Sequence, residues 1–461
     1  MTKEILSYKF RIYPDEKQEA QLFRTIGCAR KMYNLILEQK NADYTLFKEG
    51  TITKKEHSDL NKKLNPSKFS SQEEYAYFKN VDSTALKYAM KHVNQAFSNF
   101  FKGNAEYPEF KKRNKSKLSY TTCRAGKNTT NVQLTKHGLK LPKIPGFIRT
   151  IVHRNPKGNL VSVTITKTAS GKWFASLQYE ANVKYDVTST LDKSITSIKN
   201  PVGMDLGLKD LAILSDGTVF ENVKALKQAQ EKLARVDKSL SRKREQAKKD
   251  NRNLSECANY QKNKQYRAKL HEKIRNTRHD VLHKITHYLV NTHDFIGVEN
   301  LSSSNMMKNH NLALAISDAS WCEFITYLEY KAERHNVIIQ KIDRYTASTQ
   351  LCSHCLEKTG PKGITELNVR EWECSNCHVI HDRDVNAAIN ILRVALELFI
   401  ELTTGTVGET KNSSIEESLL FNEFPSLVLT GDQLSKSDKV LSSSQEKFNI
   451  LEKDPLLEES S

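Results

Sequence analysis

Four cysteines form the clearest chemical pattern in this sequence of 461 residues. Cys352 and Cys355 make one C-x2-C pair, Cys374 and Cys377 make a second, and 18 residues separate the two pairs. Two pairs at such a spacing are typical of a tetrahedral zinc site with four thiolate ligands. Since four thiolates close the coordination sphere, one Zn²⁺ is expected to be structural rather than catalytic. Three nearby histidines are alternative ligands: His354, His378 and His381.

Three acidic residues occur where apolar neighbours would bury a carboxylate. Asp205 lies in the apolar segment 202–208, Glu299 lies in the segment 295–301, and Asp384 lies in a helical pattern after the second cysteine pair. A buried carboxylate is costly unless it is paired or binds a metal. Three carboxylates in one small volume repel, and Mg²⁺ ions, two in the expected case, relieve this repulsion and can promote phosphodiester hydrolysis. The three acids are therefore predicted to be catalytic metal ligands, although any one alone could be a surface carboxylate.

The last of these positions has two candidates, Asp382 and Asp384. Residues two apart on an α-helix point about 200° apart, because the helix has about 3.6 residues per turn. Asp384 shares a face with Ala388, Ile391 and Ala395, which should pack on a sheet. Asp382 lies where a helix needs an N-cap. Asp384 is therefore the predicted ligand, and Asp382 is the predicted cap.

The order of elements in the C-terminal half indicates how these acids are positioned. From about residue 200 the sequence predicts three strands, a helical stretch, a strand, a helix, a strand and a final helix. This is the ribonuclease H-like α/β order, in which acids on the first strand, the fourth strand and the last helix converge. The order predicts that the three acids share one site.

The N-terminal half predicts a small β-domain that is interrupted by helices. Residues 5–13 alternate apolar and polar side chains, as in a half-buried strand. Pro14 and Asp15 end the strand and start a helix that is expected to run to about Glu38. A second helix is expected near residues 83–101, and later strands are expected at 139–141, 148–152, 161–167 and 173–179. We expect the first strand to pair with the later ones, with the helices inserted between them.

The charge is large and uneven. The formal net charge is +17, which favours a polyanionic partner, nucleic acid first, over a merely solvated basic surface. Residues 221–290 carry 19 basic and 8 acidic side chains, whereas residues 401–461 carry 5 and 12. No segment approaches the ~18 consecutive apolar residues of a membrane-spanning helix. No apolar signal core opens the chain, so secretion is not expected.

A basic run at residues 111–117 lies near three aromatic residues, Tyr107, Phe110 and Tyr120. Cations with interleaved aromatic rings suit phosphate contact and base stacking, and a solvated loop is the alternative. The predicted nucleic-acid contacts are Lys111, Lys112, Arg113, Lys115 and Lys117.

Together these motifs resemble the TnpB family of transposon-encoded RNA-guided DNA endonucleases, which is similar to type V CRISPR effectors. The resemblance covers residues 1 to about 400. Its most specific parts are the second acidic stretch, the cysteine pairs and the third acidic stretch taken together. The matching stretches are residues 8–14, 27–34, 107–112, 203–207, 297–301, the two cysteine pairs and 382–388.

The resemblance implies a multidomain protein with α+β and α/β parts. The expected parts are a wedge-like β-barrel (1–14 and 104–185), an inserted helical recognition domain (15–103), a linker (186–199), a RuvC nuclease domain (200–345 and 379–400) with a basic helical segment (221–290), and an inserted zinc ribbon (346–378). The acidic segment 401–461 has no matched counterpart and is expected to be a flexible tail.

For function, the resemblance implies a guide RNA derived from the transposon end and double-stranded target DNA beside a short flanking motif. It implies Mg²⁺-dependent cleavage in a RuvC site built from Asp205, Glu299 and Asp384, in a cytoplasmic protein that associates with the nucleoid when bound to DNA. Two rivals remain. A nuclease-inactive RNA-guided repressor on the same scaffold would lack one of the acids, and a DNA transposase would join DNA ends.

Overall fold

The computed structural model describes residues 2–404 except 114, 125, 127–130, 184–194, 345, 363–365 and 367. The chain divides into two compact units, Met1–Lys184 and Tyr185–Ser461. Within the described part of the chain, no helix combines the length and apolar character needed to cross a membrane. The predicted tail lies outside the described residues beyond Thr404.

The N-terminal unit combines a five-stranded antiparallel sheet with a group of helices. Its elements are β1 (Thr2–Tyr13), α1 (Glu16–Lys48), α2 (Lys54–Lys63), α3 (Pro66–Ser70), a 3-10 helix (Glu73–Asn80), α4 (Ser83–Phe101), β2 (Leu118–Cys123), β3 (Gln133–Thr135), β4 (Gly138–Lys140), β5 (Arg149–Ile151), β6 (Asn159–Lys167) and β7 (Trp173–Val183). The sheet order is β2-β6-β7-β1-β5. Strand β1 pairs with the later strands β5 and β7, so the helices are inserted into the β-domain as the sequence predicts.

Helix α1 starts as predicted but continues further. The Asp15 side chain accepts a hydrogen bond from the Gln18 amide, and the Gln18 side chain accepts one from the Asp15 amide, which forms a capping box. The expected end near Glu38 is wrong, because the helix extends to Lys48. No glycine or proline occurs between Gly27 and Gly50, so no residue in that stretch ends the helix.

The C-terminal unit contains a second five-stranded sheet. After a 3-10 turn (Ile195–Ser197), its elements are β8 (Pro201–Asp205), β9 (Asp210–Leu214), β10 (Val219–Glu221), α5 (Ala225–Lys249), α6 (Ala258–Thr292), β11 (Phe295–Glu299), α7 (Ser303–Met306), α8 (His310–Ala319), α9 (Trp321–His335), β12 (Ile338–Ile342), β13 (Glu371–Glu373), β14 (Ile380–Asp382) and α10 (Arg383–Thr404). The sheet order is β10-β9-β8-β11-β12.

Strand direction in this sheet changes at β8. Strand β8 is antiparallel to β9, whereas it is parallel to β11, and β11 is parallel to β12. The predicted order of strands and helices is present, with two additional helices, α7 and α8, before α9. The hairpin β13–β14 pairs Trp372 with His381, so it continues past the boundary predicted at residue 378, and the final helix starts at Arg383.

Two glycines bring helix α10 close to the centre of the sheet. A Cβ atom on Gly203 of β8 would lie 2.0 Å from the Ala388 carbonyl oxygen, and one on Gly297 of β11 would lie 2.8 Å from the Ala395 Cβ. Only residues without a side chain permit such close approach of helix and strand backbones. The apolar face of α10 packs with Phe295 and its neighbours in one buried cluster. The first turn of α10 is thereby held at the edge where β8 and β11 end.

Candidate functional site

Parallel pairing places two of the predicted acids side by side. Asp205 is the last residue of β8, and Glu299 is the last residue of β11. Met204 pairs with Val298 in the parallel ladder, so the two acids follow directly at the same edge of the sheet. The geometry therefore brings together two residues that are far apart in the sequence.

The third predicted acid, Asp384, lies in the first turn of α10. Its carboxylate and that of Glu299 both raise the pKa of Asp205, which places all three within electrostatic range. Desolvation of Asp205 is the largest cause, and the pKa reaches about 7. Burial also raises the pKa of Glu299. Acids that are costly to ionise without a cation have the chemistry of a divalent-metal site.

Asp382 occupies the capping position at the start of α10. Its Oδ1 atom accepts hydrogen bonds from the amides of Asp384 and Val385, both at 2.9 Å. This is the hydrogen bonding expected of a helix cap. Its carboxylate is thus committed to the backbone, whereas Asp384 interacts with Asp205.

Three further side chains at the site were not predicted. Ser348 Oγ donates to Glu299 Oε1 at 2.7 Å, and Arg370 Nη1 donates to Asp384 Oδ2 at 2.6 Å. The guanidinium of Arg383 lowers the pKa of Asp205, against the larger effects that raise it. Arg383 stands between two acids in the sequence, which is a usable signal. Ser348 and Arg370 have no pattern that relates them to the acids.

The four predicted cysteine ligands meet in one cluster. Their Sγ atoms all lie within 4.8 Å of one another, and the group joins the segment before β13 to the β13–β14 hairpin. Within the described ranges this is the one group of three or more such side chains close enough to hold a metal ion, and the three carboxylates form no such group. Burial raises the pKa of the Cys352 thiol, so a nearby cation would be needed to hold its thiolate at neutral pH. The donor set therefore fits Zn²⁺.

The alternative histidine ligands differ in their positions. His381 Nε2 lies 3.0 Å from Cys352 Sγ, and the His381 ring packs against Trp372. His378 instead contacts the carboxylate of Glu373. The structure thus places His381 beside the thiol cluster, where it can hydrogen-bond to a thiolate.

The predicted basic run belongs to the N-terminal unit and is only partly exposed. Lys112, Arg113, Lys115 and Lys117 are exposed. The fifth residue, Lys111, is half-buried: its Nζ lies 3.8 Å from the centre of the Tyr33 ring, and the Asn34 side chain hydrogen-bonds to its backbone. Tyr120 is only 4% exposed, so the expectation that its ring is available for base stacking is wrong. Tyr107 and Phe110 remain exposed.

Three known protein families match parts of this chain. Residues 181–310 match a family described as "Probable transposase", and residues 321–391 match a "Cas12f1-like, TNB domain". Residues 1–49 match a family described as a helix-turn-helix domain. In this chain that last range holds strand β1 and the single helix α1.

Individual relatives span most of the chain. A Streptomyces pristinaespiralis protein named "Putative RNA-guided DNA endonuclease" is 33% identical over 391 residues, which cover 85% of this chain and 89% of that protein. InsQ of Escherichia coli K12, named in the same terms, is 30% identical over 415 residues, which cover 85% and 92%. A solved chain described as "Cryo-EM structure of the Cas12f1-sgRNA-target DNA complex" aligns with a TM-score of 0.51 at 12% identity, over 84% of this chain and 98% of that one.

The structural match shows that this chain has a fold of the Cas12f1 type. The sequence matches then identify it more closely: the chain belongs to the TnpB family. This confirms the resemblance that the sequence motifs indicate.

Proposed function

We propose that the protein is an RNA-guided DNA endonuclease that cuts target DNA beside a short flanking motif in a RuvC-type site. The observation that carries the proposal is that Asp205 and Glu299 end neighbouring parallel strands of a sheet with the order β10-β9-β8-β11-β12, while Asp384 lies within electrostatic range of Asp205. Three antiparallel strands followed by two parallel ones are the arrangement of ribonuclease H-like nucleases. The names and fold of the relatives support a guide RNA and DNA target as partners.

The three acids would hold Mg²⁺, with two ions in the complete site. Bound Mg²⁺ supplies Lewis-acid stabilisation of the phosphoryl oxygens and favours attack by water. The chain's own residues hold the carboxylates in place: β8 and β11 end at one edge, and the Asp382 cap fixes the first turn of α10. Arg370, hydrogen-bonded to Asp384, adds a positive charge that could face a phosphate.

The remaining parts would share the work of holding nucleic acid. In this proposal the N-terminal sheet and its inserted helices form the wedge and recognition domains, and the β13–β14 hairpin with the four cysteines forms the zinc ribbon. The basic helices α5 and α6 would lie along the guide–target heteroduplex, whose sequence is read by base pairing. The buried carboxylate of Asp318 accepts hydrogen bonds from the amides of Leu226 and Lys227 and so anchors the start of α5.

The retained acids separate this proposal from its rivals. A nuclease-inactive repressor would lack at least one of these acids, and all three are present in this chain. A transposase would produce joined DNA ends, which a strand-transfer assay with purified protein and transposon ends detects.

Sequencing of the RNA that copurifies with the protein tests the guided mechanism: a discrete RNA that ends in a variable guide segment is expected. Protein that is free of specific RNA yet joins transposon ends would favour the transposase.

Salt dependence should identify the phosphate contacts of the N-terminal unit. Replacing Lys112, Arg113, Lys115 and Lys117 by glutamine should weaken RNA binding and reduce the slope of log affinity against log salt by about 3, since each contact with a single strand contributes about 0.7. Filter binding over a range of salt concentrations measures this slope.

A matched variant controls for loss of charge alone. Replacing four exposed lysines of α2 by glutamine removes the same charge from another part of the N-terminal unit. These lysines are Lys54, Lys55, Lys62 and Lys63. This replacement should change the slope less. An unchanged slope in the variant of the basic run would assign that run to the solvated loop.

A chain that ends near Thr410 should retain guided cleavage. The removed segment lies outside the described residues and is acidic, so we do not expect it to contact phosphate. Binding to non-target DNA should tighten, because the negative charge that repels phosphate is reduced. The measurement is cleavage by truncated and full-length protein at matched guide loading. Soluble, guide-loaded but inactive truncated protein would show that the tail completes the nuclease domain.

A further inference from the structure

A buried hydrogen-bond network connects the cysteine cluster with the acids. We propose that Ser348 is a positioning residue that fixes Glu299, and that the metal-binding loop of residues 351–353 holds Ser348 in place through Asn386 and Asn390 of α10. The inference deepens the proposed function and rests on it, because it takes Glu299 to be a metal ligand.

Ser348 controls one end of this network. Its hydroxyl donates to Glu299 Oε1 at 2.7 Å, and only 6% of the residue is exposed. A hydrogen bond from a buried donor to a carboxylate restricts rotation of the carboxylate and holds one of its oxygens. The other oxygen is then presented in a defined direction. Outer-shell partners of this kind are what orient ligating carboxylates in metal sites.

The backbone around Ser348 is held by two asparagines on α10. Asn390 Nδ2 donates to the carbonyl oxygens of Ser348 at 2.8 Å and Leu351 at 2.7 Å. Asn386 Nδ2 donates to the Leu351 carbonyl at 2.8 Å, and Asn386 Oδ1 accepts from the Ser353 amide at 2.8 Å. Both asparagines are 1% exposed. Buried donors cost folding free energy unless they are satisfied, so the hydrogen bonds donated by the two Nδ2 groups fix the loop on the helix.

The loop that is held in this way contains a predicted zinc ligand. Cys352 lies between Leu351 and Ser353, and the same helix carries Asp384, two residues before Asn386 and six before Asn390. The ribbon makes a second connection through Arg370, which donates to Asp384. The thiol cluster, Ser348 with Glu299, and Asp384 are therefore parts of one hydrogen-bonded assembly. Zn²⁺ in the cluster would position the nuclease acids without contacting the substrate.

The test is the Ser348→Ala variant of the full chain loaded with guide RNA. Loss of an outer-shell partner typically lowers metal affinity by about 10–100-fold, so the Mg²⁺ concentration for half-maximal cleavage should rise by about that factor. Ser348→Thr keeps the hydroxyl and should restore the wild-type requirement. Thr349→Ala removes the hydroxyl of the adjacent, half-buried residue, and it should behave like the wild type.

A second readout does not depend on cleavage. Electron paramagnetic resonance measures the affinity of the complex for Mn²⁺. The Asp205→Ala complex gives the background from ions bound to the RNA. In Ser348→Ala the Mn²⁺ affinity should fall by a similar factor. Zinc content should stay at the wild-type level. In a Glu299→Gln background, Ser348→Ala should cause no further loss of Mn²⁺ affinity, because Ser348 acts through Glu299. A further loss there would indicate a general structural role and overturn the inference.

The outcomes separate the two proposals. Unchanged Mg²⁺ requirement and Mn²⁺ affinity in Ser348→Ala would overturn the positioning role while leaving guided cleavage intact. Wild-type cleavage by Asp205→Ala would instead overturn the proposed nuclease site.

Discussion

Replacement of Asp205, Glu299 or Asp384 by alanine should lower the rate of target cleavage on the order of 10³-fold or more, because each change would remove a proposed metal ligand. Metal ions contribute several kcal/mol of charge stabilisation in the transition state, and about 1.36 kcal/mol corresponds to a factor of ten in rate. Target binding should persist, since base pairing and backbone contacts supply it. Single-turnover cleavage and gel-shift binding on the same guide-loaded samples measure the two effects separately.

The neighbouring acid provides the matched control. Asp382→Asn should keep substantial activity, because asparagine also caps a helix and the Asp382 carboxylate is already bonded to backbone amides. An inactive Asp382→Asn beside an active Asp384→Asn would show that the roles are reversed.

The stability of an Asp205 variant gives a second check. Since burial and neighbouring acids raise the pKa of Asp205 to about 7, ionisation of this carboxyl above neutral pH costs folding free energy. The melting temperature of Asp205→Ala in metal-free buffer at pH 8 should therefore not fall below that of the wild type.

Loss of the zinc should have the second large effect. We expect about one zinc per chain, and replacing Cys374 by serine should lower the melting temperature and the solubility of the protein. Structural zinc sites contribute apparent binding free energies of about 10–16 kcal/mol in small domains, and binding is coupled to folding. Elemental analysis of purified protein and thermal unfolding with and without chelator measure both quantities.

A cysteine outside the cluster is the control for this experiment. Cys322 is exposed, and Cys322→Ser should leave zinc content and melting temperature unchanged. The His381 ring beside Cys352 gives a finer comparison, since His381→Ala should retain the metal if four thiolates already complete the site. Folded, active protein without zinc would contradict this account.

Short-range patterns in the sequence predicted the thiol cluster and the elements that carry the three acids. The C-x2-C spacing identified the thiol cluster, and helix periodicity separated Asp384 from Asp382, as the cap hydrogen bonds support. The order of strands and helices predicted that Asp205 and Glu299 would lie at one edge of the sheet, as the pairing of β8 with β11 shows. Residue spacing and periodicity predict ligand pairs and helix faces because both follow from local backbone geometry.

Contacts made by long-range packing could not be predicted. Ser348 meets Glu299 only after β11 and the ribbon are assembled, and no spacing relates the two residues. Tyr120 looked available for stacking, yet it faces the core of the N-terminal sheet, because a strand with aromatic residues can present them to either face. The end of α1 differs from the expectation near Glu38 because the helix continues to Lys48, beyond its last buried apolar residue, Leu37.

The most direct test of guided, metal-dependent cleavage exchanges the guide segment of the RNA that copurifies with the protein. Two DNA targets with the same flanking motif and different adjacent sequences are incubated with each of two guide-loaded complexes, in Mg²⁺ or in chelator. The account predicts that each complex cuts only the target that matches its guide, that exchanging the guides exchanges the targets, and that chelator stops both reactions. Cleavage of both targets regardless of guide, or undiminished cleavage without Mg²⁺, would contradict it.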